Sequence, residues 1–371
     1  MKVAIVHDYF DDYNGATKVV RELVKVFPNS DLYTLYVNKK EKKNLFLYKE
    51  TNKVICSWLN YLPSIRKIPF NFSLVLFYSP FFWESLNLSD YDVVISSTFG
   101  FGAYGILTGF DTFHLCYIHT PSDRLYVDKI FAKDIFSNKK SLFLNYFLKG
   151  RRMWDFVAAQ RPDVLVANSL YTQRRVKKFF RRNSELIYPP IKCIKTIKKK
   201  NNEEYYLYFG RLVKRKGLDL IIDTFNLNGK KLVIVGGGRD RLFFKKRVGG
   251  KNIEFKGFVE DKDLGNVLSN AKALVFVSMS EDFGMVLPEV MSLGVPIIAF
   301  DRGGPGEIVK DGKTGVLFDD YSIIGLNRAI RRFERITIKR RECVKRAEYF
   351  LRFGFEKRIK SLIEKGQSIN Y

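Results

Sequence analysis

Short apolar runs alternate with amphipathic stretches along the whole chain. VAIVHDY opens the sequence and leads into the helical stretch ATKVVRELVKVFP. YDVVISST, FHLCYIHT and DVLVANS follow in the first half; YYLYFGR, KLVIVGGG, NIEFKGFV, ALVFVSMS and VPIIAFD follow in the second. A strand that is apolar throughout, rather than at alternate positions, is covered on both faces. Such strands separated by helices predict parallel sheets built from βαβ units.

The plan restarts once. ELIYPPIKCIKTIKKKNNEEYYLYFG holds a Pro-Pro pair, a lysine-rich polar stretch and then a new strand. This predicts a first domain over 1–190, a linker over 191–203 and a second domain over 204–351. AEYFLRFGFEKRIKSLIEKG reads as a helix broken around Gly354, and its last part, 352–371, is free to cross back to the first domain. A length of 371 residues suits two domains, and 46% apolar with 28% charged residues is the composition of a globular protein.

No apolar run approaches the roughly 20 residues of a spanning helix. MKVAIVHDYF reads as a first strand and not as a signal peptide. Cys56, Cys116, Cys193 and Cys343 are scattered, without CxxC spacing or a nearby histidine cluster. They predict neither zinc nor a disulfide framework, and a reducing cytoplasm fits them. Charge changes the picture: 64 Lys and Arg stand against 39 Asp and Glu, a net +25. Such a surface attracts nucleotides, phosphorylated lipids, anionic bilayers or nucleic acid. General surface enrichment in lysine, as in many thermophilic proteins, is the other reading.

Two stretches bear on that choice. SWLNYLPSIRKIPFNFSLVLFYSPFFWESLN (57–87) reads either as a buried helix and loop or as an exposed apolar and basic surface for a lipid-linked substrate or bilayer. KKFFRR (177–182) invites the same thought, but Val176, Phe179 and Phe180 have helical spacing and are expected to face the core.

The richest chemistry lies in SEDFGMVLPEVMSLG. Glu281 falls in a strand-to-helix loop and Glu289 in the first helical turn, where Pro288 costs no hydrogen bond. In an open α/β sheet, ligands bind at the carboxyl ends of the strands, and a helix N-terminus there seats phosphate. A carboxylate beside a diphosphate is useful only as an acceptor from hydroxyls, so the two acids are candidates for holding sugar rings. The alternative is that Glu289 complements the helix dipole and Glu281 is an ordinary loop acid. GRLVKRKG (210–217) offers Arg211 and Lys216 at another strand end, where two cations can neutralise a leaving diphosphate without metal. VGGG (235–238) is a strand-end glycine loop. Asp90-Tyr-Asp92 has Asp-x-Asp form but directly precedes a strand and reads as a strand-start turn.

Together these segments resemble glycosyltransferase family 4, the large retaining family with the GT-B fold. The resemblance runs in family order through YNGATKVVREL, YIHTPSDRLYVD, DVLVANSLYTQRRVKKFF, IYPPI, GRLVKRKGLDLIIDTF, KLVIVGGG, FKGFVEDKDL, SEDFGMVLPE and DRGGPGEIVKDGKTGVLF. EDFGMVLPE carries the family's pair of glutamates with seven residues between them. The His-Thr-Pro segment is similar to the branch that includes O-antigen mannosyltransferases. Asn14 stands where the family has its first loop glycine, and Lys18 where it has an acid; Gly15 remains.

The resemblance implies an α/β GT-B fold: two Rossmann-like doubly wound domains facing a cleft, with the C-terminal helix crossing back to the first. It implies that Glu289 binds the ribose and Glu281 the transferred sugar, with Phe283, Gly284, Met285, Val286 and Leu287 around the nucleotide sugar. Arg211 and Lys216 would hold the diphosphate. Gly15 would admit the phosphates to the first domain's backbone, His119 would sit beside the donor sugar, and backbone groups at Phe258 and Val259 would receive the base. The implied activity is transfer of a hexose, with retention, from a nucleoside-diphosphate sugar to a glycan or lipid-linked glycan. GDP-mannose is the first donor expected and UDP-hexoses come next. No metal or other cofactor is required, and the expected setting is cytoplasmic, peripheral on the inner face of the membrane. A transferase acting on nucleic acid or protein is a second reading; the charge permits it, but no nucleic-acid reader motif is present. A non-catalytic relative that kept the fold is a third, and the intact Glu281, Glu289, Arg211 and Lys216 argue against it. A glycogen phosphorylase does not fit: the chain is too short and shows no lysine site for a pyridoxal cofactor.

Overall fold

Each apolar run named above becomes a strand of one of two parallel sheets. The computed structural model describes residues 1–61, 72–126, 142–194, 205–351 and 354–369. The chain divides into two compact units, Met1–Pro190 with Gly354–Tyr371, and Ile191–Phe353. Residues 195–204, most of the expected linker, lie outside the described residues, as do 62–71 of the aromatic stretch and the end of YIHTPSDRLYVD.

The first unit holds β1 (Val3–His7), β2 (Asp31–Thr34), β3 (Lys53–Cys56), β4 (Val93–Thr98), β5 (Phe113–Ile118), β6 (Val164–Ala167) and β7 (Glu185–Leu186), in the order β3-β2-β1-β4-β5-β6-β7. All residues of β1, β4 and β5 are buried, which is why these strands read as unbroken apolar runs. The sheet reverses direction of growth between β1 and β4, paired in register as Ile5↔Ile95 and His7↔Ser97.

Helices cover both faces. In the Gly15–Val26 helix, Val19, Val20, Leu23 and Val24 are buried in one stripe. Burying one such leucine contributes roughly 2 kcal/mol. Asn14 caps this helix, its Oδ1 accepting from the Ala16 N–H at 2.9 Å and the Thr17 N–H at 3.2 Å. The departure from glycine at position 14 thus supplies a cap. The Phe355–Ile369 helix places Phe355, Ile359 and Ile363 in the same core, and Phe355 meets Tyr117 of β5 edge to face. At the other end of the sheet, Asp92 accepts from the Lys2 backbone N–H, so the Asp90–Asp92 segment ties a strand start.

The second unit holds β8 (Tyr206–Phe209), β9 (Leu232–Val235), β10 (Ile253–Gly257), β11 (Ala273–Phe276), β12 (Ile297–Phe300) and β13 (Gly315–Phe318), in the order β10-β9-β8-β11-β12-β13. Its switch point lies between β8 and β11, paired as Tyr206↔Ala273. The Leu218–Asn228 and Ile323–Arg335 helices fill its core with Ile221, Ile222, Phe225, Leu326, Ile330 and Phe333. Ser322 caps the latter, its hydroxyl accepting from the Gly325 N–H at 3.0 Å.

Candidate functional site

In the second unit the loops that follow β8, β9, β10, β11 and β12 all leave the carboxyl ends of parallel strands. The β8 loop carries Arg211, half-buried, whose carbonyl accepts from the Tyr208 hydroxyl at 2.8 Å. The Leu212 N–H donates to the Gly237 carbonyl at 2.8 Å and the Lys214 N–H to the Asp240 carboxylate at 2.9 Å, so the β8 and β9 loops are locked together. A short turn, Lys214–Lys216, ends at Gly217, whose φ of 70° favours glycine. A Cβ there would lie 2.4 Å from the Tyr321 hydroxyl and 2.8 Å from the Val277 carbonyl. Glycine therefore permits the tight corner that presents Lys216.

Lys216 reaches across the switch point: its Nζ donates to the Glu281 carboxylate, and both side chains are about one-fifth exposed, at 19% and 17%. Glu281 is fixed from behind. Its carbonyl accepts from the Gly304 N–H at 2.9 Å, and a Cβ on Gly304 would fall 2.1 Å from the Phe283 carbonyl. Only a glycine lets the β12 loop approach the β11 loop so closely. Phe283 and Gly284 are buried, Met285 and Val286 half-buried, and Leu287 buried. The helix Val286–Met291 begins two residues before Pro288 and holds Glu289 in its first turn. Glu289 is itself buried, 4% exposed. Phe258 and Val259 directly follow β10, the Phe258 ring exposed.

The structure thus brings Lys216 and Glu281 into direct contact, with Glu289 on the short helix that follows the same loop. The pair sets a cation beside a carboxylate, groups whose chemistry suits an anion and hydroxyl donors respectively. Burial pushes the nearby Tyr208 phenol above its usual range, with the Glu281 charge adding to it. Tyr208 stays neutral and serves as a hydrogen-bond donor that fixes the Arg211 backbone.

Gly15 and His119 belong to the first unit. Gly15 opens its helix, behind the Asn14 cap. His119 directly follows β5 and is buried, its Nε2 2.9 Å from the Ser97 hydroxyl. The same hydroxyl lies 3.1 Å from Nδ1 of His7, which also meets the Ser97 carbonyl at 2.9 Å. A carbonyl only accepts, so His7 carries its proton on Nδ1. The Ser97 hydroxyl accepts from His7; where it directs its own proton to His119 Nε2, the His119 proton sits on Nδ1. Burial lowers the pKa of both rings, His7 to about 3 against the pull of its bond to the Ser97 carbonyl, and His119 well below its usual value, with the His7 charge adding to the shift at His119. At neutral pH His119 is an uncharged imidazole that can give or take a hydrogen bond but supplies no cation.

Ser97 is therefore a positioning residue for His119. In Ser97→Ala the His119 proton is expected to redistribute toward Nε2. The three histidines of the chain make this readable by imidazole nitrogen chemical shifts. An unchanged His119 tautomer in the variant removes the role given to Ser97.

Asp8, immediately after β1, escaped the reading of the sequence. It is fully buried and accepts from the Thr98 hydroxyl and from the backbone N–H groups of Phe99, Phe101 and Ala103, at 2.7–3.1 Å. Burial pushes its carboxyl up to about 6 against the pull of those donors. Asp8 thereby shapes the loop after β4, beside Ser97. An acid ending an apolar strand was the only signal available.

Comparisons with known proteins follow the same lines. The family described as "Glycosyl transferases group 1" matches residues 192–350. An uncharacterized glycosyltransferase of Methanocaldococcus jannaschii is 27% identical over 182 residues, covering 48% of this chain and 51% of the relative. The chain thus spans about half the length of that curated relative. Among solved structures, HepE of Anabaena in complex with UDP has a TM-score of 0.68 at 16% identity, covering 99% of this chain and 100% of HepE. Sucrose-phosphate synthase of Thermosynechococcus elongatus has a TM-score of 0.69 at 16% identity, covering 98% and 99%. Residues 192–350 thus match the glycosyl transferases group 1 family, and the two parallel-sheet units have the GT-B fold.

Proposed function

We propose that this chain is a retaining glycosyltransferase that moves a hexose from a nucleoside-diphosphate sugar to a glycan or lipid-linked glycan. The observation that carries the reading is the Lys216–Glu281 pair at the β8/β11 switch point, with buried Glu289 on the adjoining helical turn. Ligands of open α/β sheets sit at such points. In this reading Arg211 and Lys216 take the diphosphate, Glu281 the hexose hydroxyls and Glu289 the ribose. Phe258 and Val259 receive the base, and the segment Phe283, Gly284, Met285, Val286, Leu287 lines the donor. Gly15 and His119 lie in the first unit and are the residues there that the resemblance assigns to the donor.

The chemistry follows from those roles. The bond between the anomeric carbon and the phosphate oxygen breaks, and the nucleoside diphosphate leaves with the electron pair. Arg211 and Lys216 meet the developing negative charge, which is the task that a metal ion performs elsewhere. The acceptor oxygen attacks from the face that the leaving group vacates, and its proton passes to the departing phosphate oxygen. Neutral His119 orients a sugar hydroxyl by hydrogen bonding. Glu281 and Glu289 are donor-binding groups, not the acid and nucleophile of a hydrolase.

GDP-mannose is the donor that the His-Thr-Pro segment favours. The solved HepE complexes contain UDP and UDP-glucose, which supports a nucleoside-diphosphate sugar and keeps a UDP-hexose as the second choice. A peripheral site on the inner face of a membrane suits a lipid-linked acceptor. No helix among the described residues is long and apolar enough to cross a bilayer.

Calorimetric titration with UDP, GDP, ADP and their sugar conjugates tests the reading. One nucleotide is expected to bind selectively, and Glu289→Ala is expected to weaken it about ten- to a hundredfold through lost charged hydrogen bonds. Equal affinity in wild type and variant removes Glu289 from the ribose. Absence of binding to every nucleotide favours the non-catalytic reading.

A further inference from the structure

Three helices of the first unit lie side by side: Phe72–Ser85, Leu142–Ala158 and Leu170–Phe180. The first two are joined by stacking of Phe77 on Phe147 at 5.3 Å and by the Arg151 guanidinium, which donates to the Leu76 carbonyl at 3.2 Å. The second and third share a core of Ala158, Val176 and Phe180. Val176 and Phe180 face the core as their spacing suggested, and Trp83, in the stretch that the sequence left open, is fully buried too.

Their outward residues do not form an ordinary polar surface. Phe81 is 68% exposed, Tyr146 78%, Met153 62% and Val157 57%. Tyr146, Met153 and Val157 recur seven and four residues apart, which is a single stripe along one helix. Phe81 adjoins that stripe through Phe77, whose ring centroid lies 6.3 Å away. A cluster of large exposed apolar side chains of this kind marks an interaction site.

The exposed charges on these three helices are mostly positive. Lys149, Arg152, Arg174, Lys177 and Lys178 are exposed on these helices. The three helices contain two carboxylates, and neither offsets this charge. Asp155 is buried against Arg151, and Glu84 accepts from the Trp154 ring N–H at 2.7 Å and from Arg161 at 2.6 Å.

We infer that this three-helix face docks on an anionic lipid bilayer, with Phe81, Tyr146, Met153 and Val157 entering the interfacial zone and the five cations meeting lipid phosphates. The inference deepens the peripheral-membrane part of the reading above and rests on it. Aromatic and aliphatic side chains beside Lys and Arg, with no exposed unpaired acid, are the composition of an interfacial surface. A second copy of the chain is a poor occupant, because a two-fold contact would set the same cations against each other.

Vesicle co-sedimentation with phosphatidylcholine alone, and with phosphatidylglycerol added, tests the surface. Wild-type protein is expected to bind the anionic vesicles, and added salt is expected to weaken that binding. Lys149→Glu/Lys177→Glu/Lys178→Glu should lose on the order of a hundredfold in partitioning. Phe81→Ser/Tyr146→Ser/Met153→Ser/Val157→Ser should fail to bind once salt suppresses the electrostatic part. All the altered side chains are exposed, and nucleotide titration checks that each variant is folded. If wild type binds and both variants bind equally well, this face is wrong while the membrane reading stands. If wild type binds neither vesicle, both fall. If the variants change the oligomeric mass instead of vesicle binding, the face is a protein interface and the bilayer assignment is overturned.

Discussion

Lys216→Ala is expected to lower kcat by about a hundredfold, the usual cost of removing one preorganised electrostatic group from the charge that develops in a transition state. The loss should be larger in kcat than in affinity for the nucleoside diphosphate, because the leaving group gains charge as the glycosidic bond breaks. The variant also strips Glu281 of its ion-pair partner in a site where both side chains are mostly covered. An orphaned carboxylate is a structural fault in its own right. Lys216→Ala/Glu281→Gln separates the two effects by neutralising that orphan. Wild-type turnover in either variant, measured with the donor selected by calorimetry, would falsify the catalytic role of Lys216. Recovered thermal stability in the double variant without recovered turnover is the expected pattern.

The second large effect concerns pH. All three histidines lie in the first unit and are buried. Burial lowers His7 and His114 from 6.5 to about 3, with the Arg182 and Arg161 charges adding to the shift at His114; His119 falls well below its usual value. A depressed pKa in the folded state means that unfolding takes up a proton. The stability these rings contribute is complete above pH 6.5 and is lost as the pH falls toward 3. Two buried carboxyls oppose this. Burial raises Asp8 from 3.8 to about 6 and also raises Asp155, so the folded state binds those protons first as the pH falls. Three imidazoles against two carboxyls leave a net uptake of one proton or more on unfolding. That amounts to about 1.4 kcal/mol per pH unit below pH 6.5. All three tryptophans, Trp58, Trp83 and Trp154, also lie in the first unit, so their emission reports on it selectively. The urea midpoint followed by tryptophan emission should fall between pH 7.5 and pH 5. An unchanged midpoint means that these rings are not held neutral.

The central strands were legible because burial on both faces leaves an unbroken apolar run, as in VVISST and FHLCYI. β2, β3, β7 and β13 were not, because they are short strands toward one or other edge of their sheets with partly exposed residues: the pattern of DLYT alternates and KVIC is exposed at its first position. The chemistry divided in the same way. Glu281, Lys216 and Arg211 could be found because each sits in a strand-end loop beside glycine, a local pattern. Their direct ion pair could not, since 65 residues separate Lys216 from Glu281. The Asp8 anchor and the His7–Ser97–His119 chain depend on β1 pairing with β4, a register spanning 90 residues, and no local spacing encodes that. The aromatic stretch was ambiguous for a related reason. Its helix is apolar on nearly every side, so periodicity does not separate buried Trp83 from exposed Phe81.

The Phe355–Ile369 helix makes the first unit discontinuous in sequence: Ile191–Phe353 is spliced between its two parts. On the ribosome the order of completion therefore runs backwards. The second unit is contiguous and can finish folding while the first, though synthesised earlier, still lacks the Phe355, Ile359 and Ile363 wall of its core. Until that helix emerges, the apolar surface around Tyr117 lacks its cover, and uncovered surface of this kind makes an incomplete domain prone to misassembly. The helix acts as a keystone for the first unit, set after the strands whose core it closes.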